Sequence, residues 1–178
     1  MEDLDPVSVL TLAGAASELV EHLARDSGNS PFIDHILLTN PAMDAKKYYA
    51  LSKQYYNAFK HITKRDGTLR EDTALLADFE DKQNDAFLFV AWTDFMRASP
   101  SSPIAAHVFQ AWFYACHPEK LAATDHANRF LAAFPGMVGL SWADRKLTLK
   151  AQIAGIRTNQ GLMCDPRTEP LPLVFPND

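Results

Sequence analysis

Histidine and carboxylate side chains are the groups in this sequence that could do acid–base or metal chemistry. The chain has six histidines, spread over separate stretches of sequence. A carboxylate-bridged metal pair in a helical bundle usually takes its ligands from Glu-x-x-His pairs on inward helix faces, and no such pair occurs here. We therefore predict no metal site as the first interpretation. The alternative ligand set, which requires a polar layer facing the core, is Glu18, His22, Glu80, His107, Asp125 and His126.

Each of these residues also has an ordinary structural interpretation. His107 lies in an apolar stretch, where a lone histidine is usually hydrogen-bonded to a neighbour or lines a pocket. Glu80 belongs to the polar run Glu80–Asp85, which covers nearly two helical turns without an apolar residue. Such a run is either a kink or a polar layer in the core. Surface carboxylates are far commoner than functional ones, so metal binding stays the second interpretation.

Aromatic residues supply a second kind of candidate chemistry, the binding of an apolar ligand. Tyr48, Leu51, Tyr55, Phe59 and Ile62 follow one another at every third or fourth position, which is typical of one face of an amphipathic helix. Buried phenolic hydroxyls need hydrogen-bond partners, so this face predicts a partly polar interior in which a ligand could lie. The residues predicted to line the pocket are Tyr48, Tyr55, Phe59, His107, Trp112 and Tyr114.

Motifs of known catalytic or cofactor sites are missing from the sequence. It contains no phosphate-binding glycine loop, no G-x-S-x-G, no H-E-x-x-H and no C-x-x-C. The two cysteines, Cys116 and Cys164, are too few for a disulfide framework or a zinc knuckle. The sequence thus leaves open whether the protein is an enzyme, and it names no cofactor.

The overall composition is that of a globular protein of one domain. The 178 residues are 47% hydrophobic and carry a formal net charge of −5, with neither sign strongly clustered. Phosphate binding needs a concentrated basic face, so nucleic acid is not a predicted partner. The acidic N-terminus, Met1–Asp5, differs from a basic secretory leader, and the apolar run Ala86–Ala91 is too short to span a membrane. We therefore expect a soluble, cytoplasmic protein without membrane contact.

Capping residues and chain breakers divide the sequence into about six helices. Asp5 and Pro6 fit the N-cap and first position of the first helix. The predicted helices span roughly residues 6–25, 43–65, 69–97, 104–116, 119–134 and 142–156, judged by caps and apolar periodicity. The first helix is predicted to bury Leu12, Ala16, Leu19, Val20 and Leu23.

Two further segments have features of their own. The helix Ile104–Cys116 is apolar almost all round, which predicts a central helix or a homodimer interface. Residues 158–178 contain four prolines and cannot be helical throughout, and their apolar residues favour an extended tail that packs on the domain or on a partner subunit. The predicted organisation is an all-α, single-domain bundle over residues 1–157, followed by the Pro-rich tail, residues 158–178.

Two segments resemble the opening of the heme-oxygenase-like superfamily, in its thiaminase-II-type (TenA) and diiron-oxidase branches. They are Ser30–Leu37 and Tyr48–Phe59, of which the second contains Gln54 followed by two tyrosines. The resemblance implies a helical-bundle enzyme, either a hydrolase or a metal-dependent oxidase. The chain departs from the pattern at Tyr55, where the thiaminase branch has an acidic residue, and at Phe87, where the diiron branch has a histidine. The resemblance therefore lacks a complete active-site pattern.

The sequence favours a non-catalytic function, because the predicted interior is aromatic and no catalytic set is complete. That function is the binding of a partner protein or of a small apolar or aromatic ligand. Two alternatives stay open. One is a heme-oxygenase-like helical-bundle enzyme, and the other is an acidic immunity or adaptor protein.

Overall fold

The fold is all α-helical, as the sequence predicts. A computed structural model describes residues 5–121 and 124–169 of the chain. Within these residues there are ten α-helices and no β-strand. The helices are α1 (Pro6–Asp26), α2 (Phe32–Thr39), α3 (Ala45–Ser52), α4 (Gln54–Lys60), α5 (Thr73–Ala77), α6 (Lys82–Ala98), α7 (Ile104–Cys116), α8 (Asp125–Ala133), α9 (Trp142–Ile156) and α10 (Gln160–Met163).

The predicted bundle of six longer helices is not confirmed, because two of those helices are each divided in two. Lys53 alone separates α3 from α4, and its ψ of 9° ends the first of them. Residues 78–81 separate α5 from α6 and include the first two residues of the polar run. There the side-chain oxygen of Gln83 accepts a hydrogen bond from the backbone N–H of Glu80. Polar side chains that bond to nearby backbone groups compete with a continuous helix, so the helix is interrupted at the start of the run. Later in the run, Asn84 is buried and its Nδ2 donates to the carbonyl of Pro6 at 2.9 Å.

The residues buried on α3 and α4 are not those of the predicted aromatic face. Tyr56, beside that face, is the buried ring at 2% exposed, whereas Leu51 is 52% and Ile62 is 80% exposed. Because the helix is interrupted at Lys53, residues before and after it no longer share one helical face. Tyr56 packs on Gly14 of α1, where a Cβ atom would lie 2.4 Å from the Cδ2 atom of the tyrosine ring.

Residues 61–72 contain a hairpin-like turn that the sequence analysis missed. The backbone N–H of Lys64 donates to the carbonyl of Thr68 at 2.7 Å. Gly67, at a φ of +83°, turns the chain between the two arms. The helix predicted to continue to residue 65 therefore ends with α4.

The packing of the chain divides it into two compact units between Ala98 and Ser99. In the N-terminal unit, α1 packs along α6, and α4 packs against α1. The loop after α1 is fixed to the end of α6 by two side chains. Asn29 Nδ2 donates to the carbonyl of Arg97 at 2.8 Å, and Arg97 Nη1 donates to the carbonyl of Ser30 at 2.8 Å.

The prediction of the buried face of α1 is wrong except at Val20, which is buried. Leu12, Leu19 and Leu23 are 72%, 60% and 44% exposed, and Ala16 is exposed as well. The buried positions are Leu10, Ala13, Gly14, Val20 and Ala24. Both sides of the helix are apolar, so periodicity could not choose between them, and the small residues allow the closer packing. By length and composition α1 is also the one described helix that could cross a membrane, a test that core helices and signal sequences pass too.

In the C-terminal unit α7 is the central helix, as its composition predicts. Eight of its 13 residues are buried. It packs against α8, α9 and two short 3-10 turns, Pro118–Lys120 and Met137–Gly139. The indole N–H of Trp112 donates to the backbone carbonyl of Arg145 at 2.9 Å, so the largest ring of the core is also hydrogen-bonded.

The predicted extended tail is not confirmed. Within residues 158–169, α10 forms one helical turn, and the chain then returns to the loop that precedes α7. The backbone N–H of Ser102 donates to the carbonyl of Arg167 at 2.9 Å, and the N–H of Glu169 donates to the carbonyl of Ser102 at 2.8 Å. Residues 170–178 of the tail lie outside the described residues. The boundary predicted at residue 158 stays a prediction.

Candidate functional site

A cavity of about 280 Å³ lies beside α7 in the C-terminal unit. Its walls come from α7, the end of α8, α9, α10 and the segment that follows α10. Most of the lining side chains are apolar. The lining residues are Ile104, His107, Val108, Ala111, Ala133, Phe134, Gln152, Ile156, Leu162, Asp165, Arg167 and Thr168.

One face of α7 forms the inner wall of this cavity. Ile104, His107, Val108 and Ala111 are three, four and seven positions apart, so their side chains share a face of the helix. Ala111 is small and leaves room where a larger residue would fill the space. Phe134, which follows α8 and is 4% exposed, also lines the cavity. A small residue on the inner wall therefore contributes to the space of the cavity.

His107 is held in place by the loop before α7. Its Nε2 atom lies 2.8 Å from the hydroxyl of Ser102 and 3.3 Å from the carbonyl oxygen of Arg167. Ser102 is only 2% exposed. Because a carbonyl oxygen only accepts, an Nε2–H group satisfies both contacts. The histidine therefore connects α7 to the segment after α10.

Asp165 and Arg167 form an ion pair at the edge of the cavity. Arg167 Nε lies 3.0 Å from Asp165 Oδ1, and Nη2 lies 2.8 Å from Oδ2. The hydrogen bonds from Arg167 lower the pKa of the Asp165 carboxyl and raise the pKa of the guanidinium, so both groups are ionised near neutral pH. Their charges offset each other, which leaves the polar edge of the cavity nearly neutral.

A second, more open groove lies in the N-terminal unit, between α1 and the C-terminal half of α3 with Lys53. It has a volume of about 250 Å³ and is lined by charged residues that already have partners. Tyr49 donates its hydroxyl to Glu21 at 2.5 Å, and Lys53 Nζ lies 2.8 Å from Glu18 Oε1. Burial, followed by the bond to Glu21, raises the pKa of Tyr49, and the bond from Lys53 lowers the pKa of Glu18. The groove is a network of ion pairs and hydrogen bonds that stabilises the packing of α1.

Asp94 is a carboxylate inside the N-terminal unit. It is 2% exposed and accepts a hydrogen bond from the backbone N–H of Phe32, at the first turn of α2, at 2.6 Å. Burial raises the pKa of Asp94. Burial and the charge of Asp94 together raise the pKa of Tyr48 to about 12. The hydrogen bond from Phe32 to Asp94 anchors α2 to α6.

The six residues predicted to line a ligand pocket fall into two groups. Tyr48, Tyr55 and Phe59 belong to the N-terminal unit, where the last two contact the ring of Phe79. His107, Trp112 and Tyr114 belong to the C-terminal unit, and of these only His107 lines the cavity described above. Trp112 is a core residue, and Tyr114 stacks on Phe130. The prediction thus found one residue of the cavity.

The alternative metal ligands are not brought together either. Glu18 and His22 border the N-terminal groove, and Glu80 forms an exposed ion pair with Lys82. His107 is bonded to Ser102 in the other unit, and Asp125 is exposed at the start of α8. The side chain of His126 is outside what the structure describes. Among the described residues, no three His, Cys, Asp or Glu side chains are grouped closely enough to hold a metal ion.

Sequence reasoning missed most of the polar edge of the cavity. Ser102, Asp165, Arg167 and Thr168 were not singled out, because three of them lie in the segment that was expected to be extended. One signal was available: Asp165 is followed by proline, a pair that favours a turn. The Asp165 carboxylate does accept a hydrogen bond from the N–H of Arg167 at 2.8 Å, and its carbonyl accepts one from the N–H of Thr168 at 2.8 Å.

Comparison with known proteins gives no independent assignment of this site. The resemblance of Ser30–Leu37 and Tyr48–Phe59 to the heme-oxygenase-like superfamily stays a prediction. No family model, no curated protein and no solved structure matches the chain.

Proposed function

We propose that the protein is a non-catalytic binding protein that takes a small, largely apolar molecule into the cavity beside α7. The observation that supports this proposal is an apolar space of about 280 Å³ with a few polar groups at one edge. Ligand sites in proteins are usually concave and mostly apolar, with a small number of polar groups that orient the ligand. An apolar cavity of roughly 150 Å³ is enough for benzene, so this one has room for a substituted ring.

The Ser102–His107 pair does not make the cavity a hydrolase site. A nucleophilic serine must reach the substrate, but Ser102 is 2% exposed and is not among the residues that line the cavity. Its backbone N–H and carbonyl are both bonded to the segment after α10. The pair is better explained as a connection between α7 and that segment, which keeps the wall of the cavity closed.

The first test is to titrate the protein with toluene and follow the backbone amides by NMR. We expect the largest shifts at Ile104, Val108 and Ala111, which line the inner wall. Ala111→Leu should abolish these shifts, because the larger side chain fills the space. Ala105→Leu, the same change on α7 at a position that does not line the cavity, is the matched control and should leave them in place.

Two results would contradict the proposal. One is the absence of toluene binding by the wild-type protein at concentrations close to toluene saturation. The other is binding that survives Ala111→Leu unchanged, since the ligand would then lie elsewhere. Amide spectra of both variants without toluene show whether the C-terminal unit keeps its fold.

Contact with a second copy of the chain is the other candidate function, and the exposed leucines of α1 favour it. Leu12, Leu19 and Leu23 recur along one side of the helix, and an exposed apolar stripe of this kind is typical of a contact surface. Leu19→Gln should then lower the molar mass measured by light scattering at high protein concentration. Leu147→Gln, a change at an isolated exposed leucine of α9, is the control. A monomeric mass for the wild-type protein would contradict self-association.

A further inference from the structure

We infer that the ligand of the α7 cavity carries one neutral hydrogen-bonding group, a hydroxyl or an N–H, on an apolar body, and that Thr168 and His107 bind this group. The inference rests on the proposed function and goes further by naming the class of ligand. It is carried by two polar groups on the cavity wall whose hydrogen-bonding capacity the described part of the protein leaves unused.

Thr168 is the first of these groups. It lines the cavity and is only 6% exposed. Its backbone N–H donates to the carbonyl of Asp165 at 2.8 Å, but its hydroxyl has no hydrogen-bond partner among residues 5–121 and 124–169. The oxygen itself is not fully enclosed, since it is not among the buried unpaired side-chain atoms, so its hydrogen-bonding capacity is open to a molecule in the cavity. A polar group on a bound molecule would supply the partner.

His107 is the second group. Its Nε2 atom is occupied by Ser102 and Arg167, so Nδ1 is the ring nitrogen that is left for a ligand. Within the described residues Nδ1 has no hydrogen-bond partner. If Nε2 carries the proton, as its contact with a carbonyl oxygen favours, Nδ1 is an acceptor. Both residues line the cavity, so a ligand hydroxyl can donate to this nitrogen or accept from the hydroxyl of Thr168.

The charges at the edge of the cavity favour a neutral ligand. Arg167 is the cation nearest to this edge, and two of its nitrogens already donate to the Asp165 carboxylate. An anionic ligand would therefore lose its hydration without forming an ion pair with an unpaired cation. A cationic ligand would lose its hydration in the same way, because the Asp165 carboxylate is already paired with Arg167. Removing a charge from water without a partner is costly. We therefore expect a phenol or an alcohol to bind better than a carboxylate of the same shape.

The test compares three probes of nearly the same shape, which are toluene, p-cresol and p-toluate. Their affinities are measured by NMR titration of the full-length protein. One additional hydrogen bond should make p-cresol bind about three- to tenfold more tightly than toluene, and p-toluate should bind more weakly than either. The variant is Thr168→Val, which removes the hydroxyl but keeps the shape of the side chain. It should bring p-cresol close to toluene while the affinity for toluene stays the same.

Two further variants make the result specific to this hydroxyl. Thr168→Ser keeps a hydroxyl and should restore the preference for p-cresol. Thr158→Val removes a threonine hydroxyl that donates to the carbonyl of Gly155 and does not line the cavity, so the preference should not change. If Thr168→Val unfolds the protein, Thr168→Ala removes the hydroxyl with a smaller side chain, and its loss of the preference for p-cresol is compared with Thr168→Ser, which should keep it.

The outcomes separate this inference from the proposed function. Equal binding of toluene and p-cresol by the wild-type protein would overturn the inference and leave the apolar site in place. A preference for p-cresol that persists in Thr168→Val would also overturn it. Binding of p-toluate in preference to the other two would show a charged ligand class. Failure of all three probes to bind would instead contradict the proposed function itself.

Discussion

The two units of the chain differ in where their unpaired polar groups lie. In the N-terminal unit the buried Oδ1 atom of Asn84 has no hydrogen-bond partner among the described residues, but Asn84 lines neither of the two cavities described above. In the N-terminal unit, Asp94 accepts the N–H of Phe32, and Tyr49 donates to Glu21. In the C-terminal unit, the hydroxyl of Thr168 lies at an apolar cavity and has no partner among the described residues. Polar groups that bond to one another stabilise a fold, whereas an unpaired polar group on the wall of an apolar cavity can bond a ligand. This difference is why the site is placed beside α7.

The largest expected loss of stability comes from a substitution in the core of the C-terminal unit. Trp112→Ala removes a side chain that is 1% exposed and hydrogen-bonded to the carbonyl of Arg145, so we expect a loss of about 3–5 kcal/mol in the free energy of unfolding. Trp142→Ala is the control on the neighbouring helix. Trp142 is half-buried, and Lys146 Nζ lies 4.4 Å from its ring centre, so its loss should cost about 1 kcal/mol.

Urea unfolding with amide hydrogen exchange measures both changes and locates them. Trp112→Ala should increase exchange in α7, α8 and α9. An effect of the same size for the two tryptophans would show that α7 is not the centre of its unit.

The corresponding substitution in the N-terminal unit should cost less free energy of unfolding, because it adds a methyl group to a close contact and does not remove a large buried side chain. Gly14→Ala places a methyl group 2.4 Å from the Cδ2 atom of Tyr56, which has little room to move at 2% exposed. We expect a loss of about 1–3 kcal/mol, seen as increased amide exchange in α1, α4 and α6. Gly155→Ala is the matched control, since nothing lies within 4 Å of a Cβ atom there.

The control, Gly155→Ala, should increase the free energy of unfolding. Alanine is a better helix former than glycine, so Gly155→Ala should stabilise the protein by up to about 1 kcal/mol. If both glycine substitutions are neutral, the contact between α1 and α4 is looser than the structure shows.

Weakening the connection between α7 and the segment after α10 should cause a smaller loss of stability, and it should also change the cavity wall. Ser102→Ala removes the 2.8 Å contact to His107 Nε2 and leaves the one to Arg167. We expect a loss of about 0.5–1.5 kcal/mol in the free energy of unfolding, with faster exchange at the N–H of Thr168 and weaker binding of toluene. Ser99→Ala removes a hydroxyl that bonds within the same loop, to the carbonyl of Ser101, so it should change neither the exchange at Thr168 nor the affinity for toluene. Unchanged toluene affinity in Ser102→Ala would mean that this connection does not hold the cavity wall.

The helical class and the centre of the C-terminal unit could be predicted, because they depend on composition and local capping. Ile104–Cys116 is so apolar that burial is the only arrangement available to it. The face of α1 could not be predicted in the same way. Leu12, Leu19 and Leu23 form one apolar side, and Leu10, Ala13 and Val20 form another, so periodicity offered two answers. Small residues decided between them, because they allow a neighbouring helix to come close.

The candidate site was out of reach for a similar reason. His107 was visible as a lone histidine on an apolar helix, but its partners are Ser102, five positions before it, and Arg167, sixty positions after it. Nothing in the local pattern links them, since the link is a tertiary contact made when the chain returns after α10. The cavity itself is a space that side chains leave unfilled, and periodicity reports burial without reporting volume.

The smallest expected effect is a pH dependence in the N-terminal unit. Burial raises the pKa of Asp94 above the ordinary value of an aspartate, so the folded protein holds this proton more tightly than the unfolded chain does. The resulting stability is fully present below about pH 3.9 and is lost as the pH rises through the higher, folded pKa. Asp94→Asn keeps an oxygen that can accept the N–H of Phe32 and cannot ionise, so it should lack this loss. Urea unfolding at several pH values between 4 and 7 measures it, with Asp78→Asn, a change at an exposed aspartate, as the control. If the wild-type protein and Asp94→Asn lose stability in parallel across this range, Asp94 is not the group responsible, and the contrast between the two units rests on hydrogen bonding alone.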